Sequence, residues 1–260
     1  QFGGAQELTF EGAAGGSLHP ASFYTLISAN LFGTDGPFAD YWGPPNPQFW
    51  GANKLALARN MADVYVGALP FVALLCVGVL RAGLLAREMW VFTLAALAMM
   101  LYALGQYTPV FSYAFHIPGS DLFRRPADAT FPLGALLAVM AGYMVHRLAS
   151  GDWRASLCRA GLDLAVIALA FGACVLVAFD KGRLAQALPT LTFTAGWLLA
   201  GLALLWGLPR LAGRPTLAVL ALALVVSADL RFNNGPNEST ALPPAQFEAL
   251  RPGSKDPTLA

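Results

Sequence analysis

Long apolar runs are the feature that most restricts what this chain can fold into. Six can be marked: Ala62–Leu80, Glu88–Leu104, Ala129–His146, Ala160–Phe179, Leu188–Leu208 and Pro215–Val226. Most approach the roughly 20 residues that a helix needs to cross a hydrocarbon core. Charged residues make up only 12% of the chain, about half of what a soluble domain carries. The apolar surface must therefore be covered mainly by lipid. The expected fold is an all-α membrane protein, a bundle of about six transmembrane helices joined by loops. Residues 1–61 read as an outer-face loop segment with short interfacial helices, residues 62–228 as the bundle, and residues 229–260 as an outer-face tail that starts a further C-terminal region. Pro70 and Pro132 predict local kinks.

A net charge of +1 points to no nucleic-acid partner. Cys76, Cys158 and Cys174 have neither the spacing of a disulfide framework nor that of a metal site. No cofactor motif is present. The chain starts at Gln1 with nothing resembling a signal peptide, and about sixty residues precede the first apolar run. It reads as a fragment that lacks an N-terminal part.

Loop charge sets the expected orientation. Arg81, Arg87, Arg147, Arg154, Arg159, Arg210 and Arg214 fall on one side, against Arg124, Arg125, Lys181 and Arg183 on the other. The richer side is assigned to the cytoplasm. The N-terminal segment, the stretch around Arg124, the Asp180–Arg183 loop and the tail then share the outer face. The middles of the runs are almost free of ionisable groups, Asp163 coming nearest. An ion-coupled transporter usually carries such groups near the midplane, so chemistry is expected at the outer surface.

Three pieces of that surface are polar. His19 to Gly51 is dense in Gly, Pro, Asn and aromatics, with Tyr41, Trp42, Phe49 and Trp50 close together. These rings form either an interfacial belt or a surface that stacks on the C–H face of a sugar. Asp35 and Asp40 lie beside them. The second piece, Leu104–Ala129, contains Tyr107, His116 and the stretch "FRRPAD". Pro126 suits the first turn of a helix, which places Arg124 and Arg125 where free N–H groups favour an anion. The pair is either a juxtamembrane anchor, neutralised by Asp121 and Asp128 at helical spacing, or a phosphate grip. His116 is either a donor to a phosphate or sugar hydroxyl or a structural loop histidine. The third piece is the tail, where Asn237-Glu238-Ser239 matches a glycosylation sequon only weakly.

The ordered set "SLHPASFYTLISANLFG", "YWG", "YVGALPFVALL", "LGQYTPVFSYAFHIPGSDLFRRPADATFPLG" and "ADLRFNNGPNESTALPP" resembles the YfhO-like family of bacterial membrane proteins, most densely over Leu104–Gly134. It covers the C-terminal half or less of a typical member. Asp128 stands where a basic residue often follows the Pro-Ala. The resemblance implies a GT-C-like glycosyltransferase of the bacterial inner membrane, multi-pass, with both ends of the fragment on the periplasmic face. Its partners would be a polyprenyl-phosphate-linked sugar, a glycan or lipid acceptor and membrane lipids. In that class an acidic residue of the first outer loop acts as base or metal ligand. A divalent metal is compatible with it, and the catalytic carboxylate would lie upstream of Gln1. What the resemblance brings to this chain is a lipid-phosphate leaving group at the bilayer surface, and the candidate substrate-binding residues are Arg125 and Arg124, with His116, Tyr107, Trp42 and Tyr41. Another outer-face ligase or polymerase, or a non-enzymatic flippase, are the alternatives.

Overall fold

The computed structural model describes residues 9–33, 41–56, 63–118, 125–150, 157–211 and 213–234. Among them the regular structure is helical throughout, without a strand. Two short N-terminal pieces, α1 (Phe10–Ala14) and α2 (Pro47–Trp50), precede α3 (Ala68–Ala73), α4 (Trp90–Ala103), α5 (Pro109–Phe115), α6 (Thr130–Ala149), α7 (Leu157–Asp180), α8 (Leu184–Gly207) and α9 (Pro215–Asn234). Among the described residues four helices are long and apolar enough to cross a membrane: Pro126–Ala149, Ala160–Asp180, Leu184–Leu211 and Pro215–Asn234.

The first two expected spans are shorter than the sequence suggests. Their helices cover only Ala68–Val79 and Trp90–Ala103. At 14 residues α4 rises about 21 Å, against a hydrocarbon core of about 30 Å. The causes are local. Residues 63–67 are not helical, and Gly67, at φ 105°, turns the chain into α3. Ala82, at φ 54°, stops it at the other end. Pro70 and Pro132 both fall in a first helical turn, where no backbone donor is lost, so neither breaks a helix in its middle. The proline inside a helix is Pro189, because α8 starts at Leu184.

α3 lies in the protein interior. Ala68, Leu69, Pro70, Val72 and Ala73 are all buried. Gly201 of α8 approaches it so closely that a Cβ there would lie 3.2 Å from the Leu69 Cα. The long helices do the reverse. Leu169, Leu176 and Phe179 of α7 are exposed, as are Leu217, Val219, Leu220 and Leu224 of α9. This is the apolar surface that a bilayer covers.

From Leu74 to Val79 the α3 helix widens into a π-turn, in which Leu80 N–H reaches the Leu75 carbonyl. The Leu80 donor is thereby turned away from the Cys76 carbonyl, which instead accepts from Arg81 Nη1. The Arg81 guanidinium also holds Asp163 of α7 through two parallel bonds of 2.8 and 2.7 Å, and Trp206 Nε1 donates to the same carboxylate at 3.3 Å. Arg81 is thus no loop residue in contact with water. It is 9% exposed and Asp163 2%.

The segments assigned to one face converge at one end of the bundle. Leu18 N–H donates to the Ala103 carbonyl at 2.8 Å, Gln106 N–H to Ser17 Oγ at 2.9 Å, and Ala127 N–H to the Gly16 carbonyl at 3.0 Å. This strap crosses between the end of α4 and the start of the Pro126 turn. Gly105 is required beneath it: φ is 51°, and a Cβ would lie 2.0 Å from Ser17 Oγ. Asn30 Nδ2 reaches the Asn233 carbonyl at 2.7 Å. α9 accordingly continues past the expected boundary at residue 228, with Asp229 and Asn233 buried on one face.

Candidate functional site

At this end a cleft of about 510 Å³ opens between a 3-10 helix (Pro20–Leu26) and the last turn of α7. Phe23, Tyr24, Ile27, Trp50, Val177 and Lys181 are among its lining residues. His19 caps the 3-10 helix: its Nδ1 accepts the Ala21 N–H at 3.1 Å. An acceptor Nδ1 on a neutral ring places the proton on Nε2. The His19 ring meets both Trp50 and Tyr107 edge to face, with centroids 5.2 Å away in each case. Trp50 is fixed in turn by its Nε1, which donates to the Trp42 carbonyl at 2.7 Å. On Trp50 also sits the Lys181 ammonium, 4.8 Å from the ring centroid and 3.2 Å from Asp180. Arg183 stacks at 4.3 Å over Phe49.

Burial lowers the His19 pKa from the usual histidine value, and the Lys181 charge adds to the effect. The folded state therefore favours the neutral ring. As pH falls, the unfolded chain takes up this proton first, so the His19 contribution is complete above about 6.5 and is lost as pH descends toward the folded value. Thermal stability in detergent should fall between pH 7.5 and 5. His19→Asn, which keeps an acceptor at the cap, should flatten that part of the profile. An unchanged slope would show that His19 does not titrate with folding.

A second polar cluster lies behind the 3-10 helix. Asp229 accepts from Tyr65 Oη at 2.7 Å, Ala68 N–H at 2.7 Å and Asn233 Nδ2 at 2.6 Å. The first two bonds pin α9 to the start of α3. Thr25 Oγ1 accepts the Val64 N–H at 2.8 Å, and Tyr65 N–H donates to Asp63 at 3.1 Å. Burial raises the Asp63 pKa, against hydrogen bonds from Thr25 and backbone N–H groups that lower it. Burial also raises the Tyr65 pKa, with Asp229 as the next cause, so this phenol stays protonated and serves as a donor.

The expected site residues separate. Tyr107 joins the cleft through His19. Trp42 is fully buried and Tyr41 8% exposed. The Trp42 ring packs edge to face on Phe32 at 4.8 Å, so it offers no stacking surface, and that place belongs to Trp50. Arg125 is extended, at φ −141° and ψ 120°, as a residue before proline should be, and its Cβ and Cγ lie against Gly16. Arg124, Asp121, Asp35 and Asp40 lie outside the described residues. His116 ends α5 and is exposed; its Nδ1 lies 2.7 Å from the Ser112 carbonyl, and its ring meets Phe115. Both partners belong to its own helix.

His19, Lys181, Asp63 and Asp229 were not singled out from the sequence. His-Pro at a helix start carried a signal for the first, since a capping side chain followed by Pro is a start pattern. Asp229 and Asn233 carried another in their four-residue spacing. Nothing local to Lys181 indicates that it meets Trp50. Among the described residues no three His, Cys, Asp or Glu side chains gather as a metal site. Comparison with protein-family models, curated proteins and solved structures finds no match for this chain.

Proposed function

We propose that this chain is a membrane part of a glycosyltransferase, one that moves a sugar from a polyprenyl-phosphate donor to a glycan or lipid acceptor. The observation that carries the reading is the cleft, in which an aromatic wall and a lysine ammonium meet at the end of a lipid-facing bundle. In this reading the cleft end faces outward from a bacterial inner membrane, Ala68–Val79 and Trp90–Ala103 complete a six-helix GT-C-like bundle, and the sequence resemblance supplies the reaction class. The acceptor hydroxyl attacks C1 of the sugar, the C1–O bond to phosphate breaks, and the lipid phosphate leaves with the electron pair. The acceptor proton passes to a carboxylate base of the kind the resemblance implies. Negative charge builds on the leaving phosphate, and fixed cations are the groups that stabilise it. Lys181 and Arg125 fill that role, and Trp50 packs on the sugar.

The test is transfer from a defined polyprenyl-phosphate sugar by the full-length protein, normalised to folded protein. Loss of one charge-assisted hydrogen bond costs on the order of 1.5–3 kcal/mol, or roughly 10- to 150-fold in rate. Arg125→Ala and Lys181→Ala should each fall by that amount, and Arg125→Lys should recover part of it. Unchanged specific activity in both alanine variants would overturn the phosphate-binding role.

A further inference from the structure

An arginine side chain presents its N–H donors in one fixed plane, a pair on each Nη and a single one on Nε. In Arg81 the Nη1 pair is committed, one to the Cys76 carbonyl and the other to Asp163 Oδ1. Nη2 spends one donor on Asp163 Oδ2. What remains is Nε–H and the second Nη2–H, which lie on the same edge of the plane and run parallel, the second side of the guanidinium fork. Nε is buried and has no acceptor among the described residues. Nη1 is held by the Cys76 carbonyl, so the fork cannot turn its Nε edge onto Asp163. With the side chain 5% exposed, bulk solvent does not serve that edge either.

Beside the pair lies a cavity of about 10 Å³, lined by Arg81, Asp163, Cys76 and Trp206 together with aliphatic side chains that include Val77 and Leu202. Roughly 10–15 Å³ of such space takes one water. The chemistry of the lining selects the same occupant. Two parallel N–H groups call for an acceptor and repel a cation. Trp206 supplies none, since its ring N–H is a donor and already goes to Asp163. An anion would add an unpaired charge to a pair that is neutral as it stands, in surroundings where that is costly.

We propose that the Nε–Nη2 edge of Arg81 binds a single buried water, enclosed between the π-turn of α3, α7 and α8. The water oxygen accepts both N–H groups, and its hydrogens go to Asp163 and the Cys76 sulfur, which line the same cavity. Every donor of a permanently charged side chain is then met at a place where lipid offers no acceptor. The site is independent of the transferase reading.

The experiment is nuclear magnetic resonance of the full-length protein in detergent, isotope-labelled at arginine nitrogen in a deuterated background. Loss of one signal in Arg81→Lys identifies the Arg81 Nε–H. That proton should show a cross-relaxation peak at the water frequency. Val77→Ile adds a methylene to the cavity wall, so it should abolish the peak and lower the melting temperature, whereas filling a dry apolar cavity raises it. An Nε–H signal with no water peak, or a peak that survives Val77→Ile, overturns the site. Where exchange broadens the signal, a cryo-EM map fine enough to show ordered water decides: density about 2.7–3.2 Å from both Nε and Nη2 upholds the proposal, and its absence overturns it.

Discussion

Asp163→Ala should destabilise the folded protein by about 3–5 kcal/mol, the cost of leaving one partner of a buried ion pair uncompensated. The partner left behind is Arg81, whose guanidinium makes two parallel bonds to Asp163 and a third to the Cys76 carbonyl. Trp206 Nε1 loses its acceptor as well. Asp163→Asn should be milder, because the amide keeps one oxygen for the arginine. The informative control is the double variant Arg81→Met, Asp163→Leu. Replacing both ions of a buried pair by apolar side chains is often neutral or stabilising, so this variant should recover most of the loss. Thermal unfolding in detergent, with the folded fraction read by size-exclusion chromatography, measures both. A single alanine variant that melts with the wild type would show that the pair braces nothing.

Asp229→Ala should cost a comparable amount at the opposite end. Two donors lose their acceptor, Tyr65 Oη and the Ala68 N–H, while Asn233 Nδ2 loses its bond to the carboxylate and keeps the one to the residue 229 carbonyl, at 3.2 Å in the wild type. Each unsatisfied buried donor costs about 1–3 kcal/mol, so about 2 kcal/mol is a lower expectation. The damage should be local. Only 6% of the central stretch of α9 is buried inside the protein, so the Asp229 bonds supply much of what ties its end to α3. Amide hydrogen exchange should speed up over the last turns of α9 and at Ala68, and remain unchanged at the Arg81–Asp163 end. Exchange that rises uniformly would mean that the whole fold has loosened, and the proposed local latch would be wrong.

Much of the architecture is legible in the chain because lipid is a simple solvent: an apolar run of sufficient length must be helical. That logic finds the four long helices from Pro126 onward. It overreads Ala62–Leu80, where composition is apolar but Asp63, Tyr65 and Gly67 are committed to polar bonds and to a positive φ before the helix starts. It also overreads Glu88–Leu104, whose helix begins only at Trp90 and gives way to Gly105 at positive φ. A run buried in protein and a run buried in lipid have the same composition, and α3 is of the first kind. The site was harder. Tyr41, Trp42 and Trp50 look alike in a chain of aromatics, yet only burial assigns Trp42 to the core and Trp50 to the cleft. His19, Lys181 and Trp50 are brought together across three separate segments, a juxtaposition that no spacing rule contains. Arg125 could be placed, since Pro126 fixes its local conformation; what it holds could not.

The strap and its neighbours also set a timetable for folding. Leu18 waits for Ala103, Gly16 for Ala127 and Asn30 for Asn233, and this last pair is 203 residues apart in the chain. At roughly 5–20 residues per second of synthesis, Asn30 spends on the order of 10–40 s without its partner. During that interval the helices from α3 to α8 can insert and pack, while the segment that forms one wall of the cleft stays on the membrane surface. The segment that carries that wall is therefore held by its Asn30–Asn233 bond only once α9 has been made.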